Sequence, residues 1–322
     1  MKKRIYVFLV ILYLLCLSGC ENMGVQEKVR ITVITKATET DFWRAVKNGC
    51  NAAASEYNVD LVFQGPSNEE DYETQNRMIE EAVDQGTKAI VLSAIDRERS
   101  LAVLEKAVLK GIYIVIIDSG IDSDIPEVII STDNYSSGES AAKAMLLGES
   151  GPLKIGIVNF AQGTANGQER EQGFIDTILE DGTAEIIGKV SVDSNLESAE
   201  NGTKQLLEQY PELNAMIAFN EYTTLGMGSA IAKSGLSETI KVIGFDNNNT
   251  AIELLEDGFI DGLLVQNQFA IGYLGVECAY NLIADKPVTE REIYMDVTLV
   301  ERENLFEEGI QKIVFPVDNS HL

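Results

Sequence analysis

The sequence predicts an α/β protein of two doubly wound lobes, each a parallel sheet flanked by helices. Three observations predict it. Short runs of Val, Ile and Leu recur along nearly the whole chain, among them VRITVIT, VDLVF, KAIVLSA, IYIVII, KIGIVNF, AMIAF, KVIGF and DGLLV. These runs are largely apolar throughout, as strands are when both faces of a parallel sheet are covered. Amphipathic helical patterns fill the intervals between them, and strict alternation of strand and helix is the signature of doubly wound architecture. The 322 residues carry more strands than one small sheet holds, so the chain divides into two units, each long enough to build a core.

The chain opens with Lys2, Lys3 and Arg4, followed by an apolar run too short for a comfortable membrane span. This reads as a secretory signal. It ends in Leu17-Ser18-Gly19-Cys20, which resembles the bacterial lipobox. Residues 1–19 are therefore expected to be removed as a signal peptide, with Cys20 lipidated and residues 20–28 serving as a polar tether. A plainly cleaved signal is the alternative. The expected location is the outer face of a bacterial cell membrane, with the lipid as the only membrane contact and the folded body in water. A lipobox on such a chain suggests a Gram-positive host, which has no periplasm to retain a free protein.

Composition excludes several function classes. A formal charge of -26 opposes nucleic-acid binding, which needs clustered Lys and Arg. The single histidine, His321, stands next to the last residue, which leaves no Ser-His-Asp or Cys-His nucleophile system and no histidine-rich metal site. The chain has no P-loop, and no GxGxxG opens a helix after the first strand. Asp246-Asn247-Asn248 lacks the glycine that a calcium loop requires. No metal and no cofactor are expected. Cys50 and Cys278 have neither CxxC spacing nor a histidine neighbour, and read as buried free thiols or as a disulfide pair.

The ends of the strands carry the functional signal. Asp118 follows YIVII, Asn220 follows MIAF, Asp246 follows VIGF and Gln266 follows LLV. One such residue ordinarily makes a turn or caps the next helix. Four of them point to a cleft, because open α/β sheets bind ligands outside the carboxyl ends of their strands. The first helix begins in TETDFWRAVKNG, where Phe42 and Trp43 flank the stripe formed by Val46, Cys50, Ala53 and Tyr57. Periodicity alone leaves the two rings as core or as site. Aromatic faces at the sheet end that carries Asp118 suit the apolar face of a sugar ring, with carboxylates and amides for its hydroxyls.

DFWRAVKNGCNAAASEYNVDLVF, Asp118 after IYIVII, QEREQGF, MIAFNE, VIGFDNN and LLVQNQFAIGYLGVE together resemble ribose-binding protein and its relatives, the type 1 periplasmic binding proteins of sugar ABC transporters. The resemblance runs in order from about Val29 to about Val300. It implies two Rossmann-like lobes joined by three crossover strands, with residues 29–132 and 267–295 in the N-terminal lobe and 133–266 and 296–322 in the C-terminal one. It favours Phe42 and Trp43 as a stacking wall, and it implies ligand contacts from Asp118, Asn220, Asp246 and the hinge residue Gln266. It also places Arg170, followed by Gly173 and Phe174, in the family's R-x-x-G-F pattern. Arg170 offers a rigid fork of donors for adjacent hydroxyls, and Asp118 and Asp246 accept from them.

Departures from ribose-binding protein bear on specificity. Ser119 replaces an arginine, Ser194 falls near a ring-bearing position and Thr40 stands for an asparagine. These three are candidate contacts in a roomier or wetter pocket, which suggests a hexose-sized or larger polyol. The expected protein is a monomer that captures a sugar by hinge closure near Thr132, Gln266 and Met295, and hands it to an ABC permease. Presentation to a sensor kinase or chemoreceptor is the alternative use. A surface glycosidase working through Asp118 and Asp246 is the remote one.

Overall fold

The computed structural model describes residues 28–148 and 151–315. The expected signal peptide, Cys20 and most of the tether lie outside the described residues, as does the C-terminal end.

The first half alternates strand and helix: β1 Arg30–Ile34, α1 Asp41–Glu56, β2 Asp60–Gln64, α2 Tyr72–Asp84, β3 Ala89–Leu92, α3 Leu101–Leu109, β4 Tyr113–Ile117 and β5 Val128–Thr132. The chain continues with α4 Asn134–Leu146, β6 Leu153–Phe160, α5 Ala165–Asp181, β7 Ala184–Val192, α6 Leu196–Gln209, β8 Ala215–Ala218, α7 Glu221–Ser234, β9 Lys241–Phe245, α8 Asn249–Glu256 and β10 Gly262–Val265. Then come α9 Gln268–Ile283, β11 Glu292–Met295, β12 Thr298–Glu301 and α10 Glu308–Val314. Among the described residues no helix is long and apolar enough to cross a membrane.

Two six-stranded sheets result, ordered β11-β5-β4-β3-β1-β2 and β12-β10-β9-β8-β6-β7. The chain passes from one sheet to the other after β5, returns after β10, and passes over again between β11 and β12. Helix α9 accordingly packs on β3, β4 and α1 of the first sheet, and α4 packs on β9, β10 and α5 of the second. All pairings are parallel except β10 with β12. Successive side chains of the central strands feed opposite faces. Val115 and Ile117 of β4 join one core with Val46 and Trp43, while Ile114 and Ile116 join another with Ile79 and Leu104. Burial on both faces is why these strands are apolar throughout. The less apolar β7 and β11 lie at or next to sheet edges, where fewer neighbours cover them.

Paired glycines set the closest helix crossings. A Cβ on Gly49 of α1 would stand 2.0 Å from the Phe269 carbonyl oxygen, and one on Gly272 of α9 would stand 2.0 Å from that of Val46. The second lobe repeats the device, with Gly138 of α4 meeting the Arg170 carbonyl at 2.0 Å and Gly173 of α5 meeting that of Tyr135 at 2.1 Å. Backbone lies directly against backbone, so α1 and α5, the helices that carry Trp43 and Arg170, sit as deep as two helices can. Cys50 Sγ donates to the Gly272 carbonyl at 3.4 Å in the same crossing. Cys50 and Cys278 are both buried and both free, which settles the choice left by the sequence in favour of two thiols.

Gly272→Ala and Gly138→Ala are each expected to cost about 1–3 kcal/mol in denaturant unfolding, since the helices must separate. Gly309→Ala, on an exposed helical position with open space around it, is expected to leave stability unchanged or raise it by about 0.5–1 kcal/mol.

Candidate functional site

Two aspartates occupy equivalent places in the lobes. Asp118 directly follows β4 and Asp246 directly follows β9, each the third strand in its sheet's order. Each backbone N–H still bonds the neighbouring strand, Asp118 to the Ile130 carbonyl at 3.0 Å and Asp246 to that of Leu264 at 2.9 Å. The chain then turns through the left-handed region, with φ of 57° at Asp118 and 66° at Asp246. Aspartate tolerates this conformation better than branched residues do. The turns place both carboxylates at the carboxyl ends of the sheets, where the lobes face one another.

Both carboxylates are buried, and each of their oxygens has a partner. Asp118 Oδ2 accepts from Ser93 Oγ at 2.9 Å and pairs with Lys36 Nζ at 3.4 Å, and its Oδ1 accepts from Asn166 Nδ2 of the opposite lobe at 3.2 Å. Asp246 Oδ1 accepts from Gln266 Nε2 at 2.6 Å, and its Oδ2 accepts from the Glu221 backbone N–H at 3.1 Å. Burial pushes the Asp246 carboxyl up to about 6, against the attraction of Arg170. Gln266 Oε1 in turn accepts from Thr132 Oγ1 at 2.7 Å, so two of the places where the chain changes sheet are bonded side by side.

Arg170 is 1% exposed. Its Nε donates to Asn134 Oδ1 at 2.9 Å and its Nη1 to the Phe219 carbonyl at 2.7 Å, while the guanidinium lies 4.6 Å from the Phe245 ring centroid. Burial depresses its pKa, and Asp246 and Asp118 oppose that shift. Nη2 is buried with no hydrogen-bond partner. A fixed, desolvated donor of this kind is costly unless another molecule accepts from it.

The rings at the start of α1 also line this space. Phe42 and Trp43 are 4.8 Å apart at 81°, so they cannot both lie flat against one ligand plane. Trp43 Nε1 donates to Glu69 Oε1 at 2.9 Å, Ser194 Oγ donates to Glu69 Oε2 at 2.7 Å, and Asn220 Nδ2 donates to Ser194 Oγ at 2.7 Å. Glu70 Oε1 accepts from the Ser194 backbone N–H at 2.5 Å, and Glu221 Oε2 accepts from that of Phe42 at 3.3 Å. The bonds of Ser194 to Glu69 and Glu70, and of Phe42 to Glu221, cross from lobe to lobe, so the cleft is closed.

Closure leaves a small, partly open pocket between the strand ends. Eight of the residues singled out in the sequence line it: Thr40, Phe42, Trp43, Asp118, Arg170, Asn220, Asp246 and Gln266. Two of them also cap helices, Thr40 accepting from the Trp43 backbone N–H on α1 and Asn220 completing a capping box on α7. Ser119 and Ser194 stand outside the lining. Ser119 Oγ is buried without a partner, and Ser194 bridges Glu69 and Asn220 behind the wall. Lys36, 3% exposed, brings a cation to Asp118 from the end of β1. Lys36, Glu69, Asn166, Glu221 and Tyr222 line the cavity and were missed in the sequence. Lys36 obeys the strand-end rule, and Asn166 lies one helical turn before Arg170. Glu69 sits in an irregular loop, where no sequence period marks it.

Two α/β lobes with a small pocket between their strand ends, lined mainly by polar residues, define a solute-binding protein of the two-lobed kind. Residues 31–287 match the periplasmic binding protein domain family, and the chain belongs to it. It is 28% identical to the D-ribose/D-allose-binding protein of Pseudomonas aeruginosa, covering 80% of this chain and 83% of the relative. It is 26% identical to the ribose import binding protein of Bacillus subtilis, covering 89% and 95%. An ABC transporter solute-binding protein from Agrobacterium vitis with bound D-fucose has the same fold at a TM-score of 0.85 and 30% identity, covering 89% of this chain and 100% of that one. A carbohydrate transporter solute-binding protein from Agrobacterium radiobacter in complex with D-arabinose gives 0.85 at 27% identity, covering 90% and 99%.

Replacing Arg170 by Met is expected to cost about 3–5 kcal/mol in denaturant unfolding of the ligand-free protein, because Asp246 loses its buried cation and the Asn134 and Phe219 oxygens lose their donor. A loss below about 1 kcal/mol would show that the guanidinium is not integrated as described.

Proposed function

We propose that the protein is an exported, lipid-anchored sugar-binding protein that encloses one monosaccharide between its lobes and delivers it to an ABC transporter permease. The observation that carries this reading is Arg170 Nη2, a buried donor without a partner on the wall of a polar cavity. A vicinal diol accepts from such a group, and its hydroxyl protons are met by the carboxylates of Asp118 and Asp246. Phe42 or Trp43 covers the apolar face of the ring. The small pocket left between the lobes favours a single sugar ring, the lower end of the hexose-sized or larger range expected from the sequence.

The relatives and neighbours support the class of ligand. They are named for, or hold, ribose, allose, arabinose and fucose, all monosaccharides. They are transport proteins, which favours delivery to a permease over presentation to a sensor kinase. The reading calls for no bond cleavage: the ligand leaves unchanged when the lobes part, and the protein works as a monomer. The lipobox at Cys20 supports retention on the outer face of the membrane, as suits a Gram-positive cell.

Titration of the soluble chain with pentoses, hexoses and disaccharides, read by Trp43 emission and by thermal midpoint, is expected to give a saturable response to a monosaccharide and none to a disaccharide. Asp118→Ala and Arg170→Ala are each expected to weaken that response at least a hundredfold, on the order of the loss of a charged hydrogen bond plus an unpaired buried partner. Binding of a disaccharide as tightly as a monosaccharide would defeat the size argument. Cys20→Ser is expected to move the protein from the membrane fraction to the medium, as followed by immunoblot.

A further inference from the structure

Two loops meet across the cleft without lining the pocket. Asp96 and Arg97 follow β3 in the first lobe, and Gly163 lies between β6 and α5 in the second. The Arg97 backbone N–H donates to the Gly163 carbonyl at 3.1 Å, a main-chain bond from lobe to lobe. Both residues of the first loop are fixed from within their own lobe. Arg97 Nε donates to Asp122 Oδ1 at 2.9 Å, and the Arg97 carbonyl accepts from the Asp122 N–H at 2.9 Å. Asp96 Oδ1 accepts from the backbone N–H groups of Glu98 at 3.0 Å and Arg99 at 3.1 Å.

Gly163 has no positive φ, so its backbone does not call for glycine. The space around it does. A Cβ at this position would overlap Asp96 Oδ2 and stand 3.2 Å from its Cγ and 3.7 Å from its Cβ, and these three are the nearest atoms. The obstruction comes from the opposite lobe. β3 and β6 stand fourth and fifth from the sheet edges formed by β11 and β12, well away from the crossovers that follow β5 and β10. Rotation of the lobes about those crossovers therefore carries the two loops apart. A side chain at position 163 has room in the open protein and is blocked in the closed one.

The same loop leads directly into the site. Asn166, three residues after Gly163, donates to Asp118 Oδ1 in the first lobe at 3.2 Å, and Arg170 follows one helical turn later. Glu169, on the same helix, has its Oε1 4.0 Å from Arg97 Nη2. How far α5 advances on the first lobe thus depends on how closely the loops meet. We infer that Gly163 and Asp96 are positioning residues for ligand binding: they form the stop that sets the closed position of the lobes, and the missing side chain at 163 lets Asn166 and Arg170 reach the Asp118 side of the pocket. This rests on the reading of the cleft as a site that closes on its ligand.

Two experiments test the stop. The 3.7 Å between Asp96 Cβ and a Cβ at position 163 falls within the range of disulfide-bonded pairs. Asp96→Cys combined with Gly163→Cys, in a Cys20→Ser background, is expected to form a disulfide on mild oxidation without any ligand, as read by mass spectrometry. Cys50 and Cys278 are buried and do not compete. A pair that stays reduced would overturn the inference.

The second experiment measures affinity. A penalty confined to the closed form weakens binding by the factor by which it disfavours closing. Gly163→Val is expected to bind D-ribose, D-allose, D-arabinose or D-fucose, whichever the unaltered chain binds, about tenfold or more weakly, the usual scale of overpacking. The denaturant midpoint of the ligand-free variant is expected to stay unchanged. Gly163→Ala is expected to show a smaller loss, restored by Asp96→Ala in the same chain. Undiminished affinity in Gly163→Val, or a loss accompanied by a lowered midpoint, would overturn the inference. If none of the four sugars binds the unaltered chain, the proposed ligand fails, while the disulfide still decides whether the loops meet.

Discussion

The need to partner buried charge governs this molecule. Lys36, Asp118, Arg170 and Asp246 meet where two sheets end, each almost wholly removed from water. An isolated ion cannot occupy such a place, so Lys36 pairs with Asp118, and the other three are held by hydrogen bonds that for Asp118 come from both lobes. The left-handed turns after β4 and β9 follow from this requirement, since they set the two carboxylates among their donors. So does the depth of α1 and α5, which glycine contacts allow to press against their neighbours and carry Trp43 and Arg170 to the cleft. One donor, Arg170 Nη2, is left over. In the proposed function, that leftover donor is the one a polar ligand satisfies.

The same network joins the two lobes. Most cross-lobe bonds are single hydrogen bonds between polar side chains and backbone groups: Asn166 to Asp118, Ser194 to Glu69, and Phe42 to Glu221. Among the described residues no apolar core is shared between the lobes, since the four buried clusters divide two to each sheet. Opening therefore exposes little hydrophobic surface and exchanges a few bonds for water. That is the energetic condition for a cleft that opens and closes readily. The bond between Thr132 and Gln266 lies at the crossovers.

The sequence by itself determined the architecture and the greater part of the cavity. Long apolar runs follow from burial on both sheet faces, and that physics acts on every central strand alike. Asp118, Asn220, Asp246 and Gln266 were legible because strand ends are fixed by the same pattern, and Arg170, Phe42 and Trp43 were legible through an ordered family resemblance. Tertiary structure alone decided the rest. Ser119 and Ser194, adjacent to or aligned with site positions, turn away from the cavity, while Lys36 and Glu69 enter it from different loops. Side-chain direction past a strand end depends on the φ of one or two residues and on which loop of the other lobe arrives opposite. Neither quantity has a period in sequence. The proximity of Glu221 to Phe42, 179 residues apart, likewise exists only when two lobes meet.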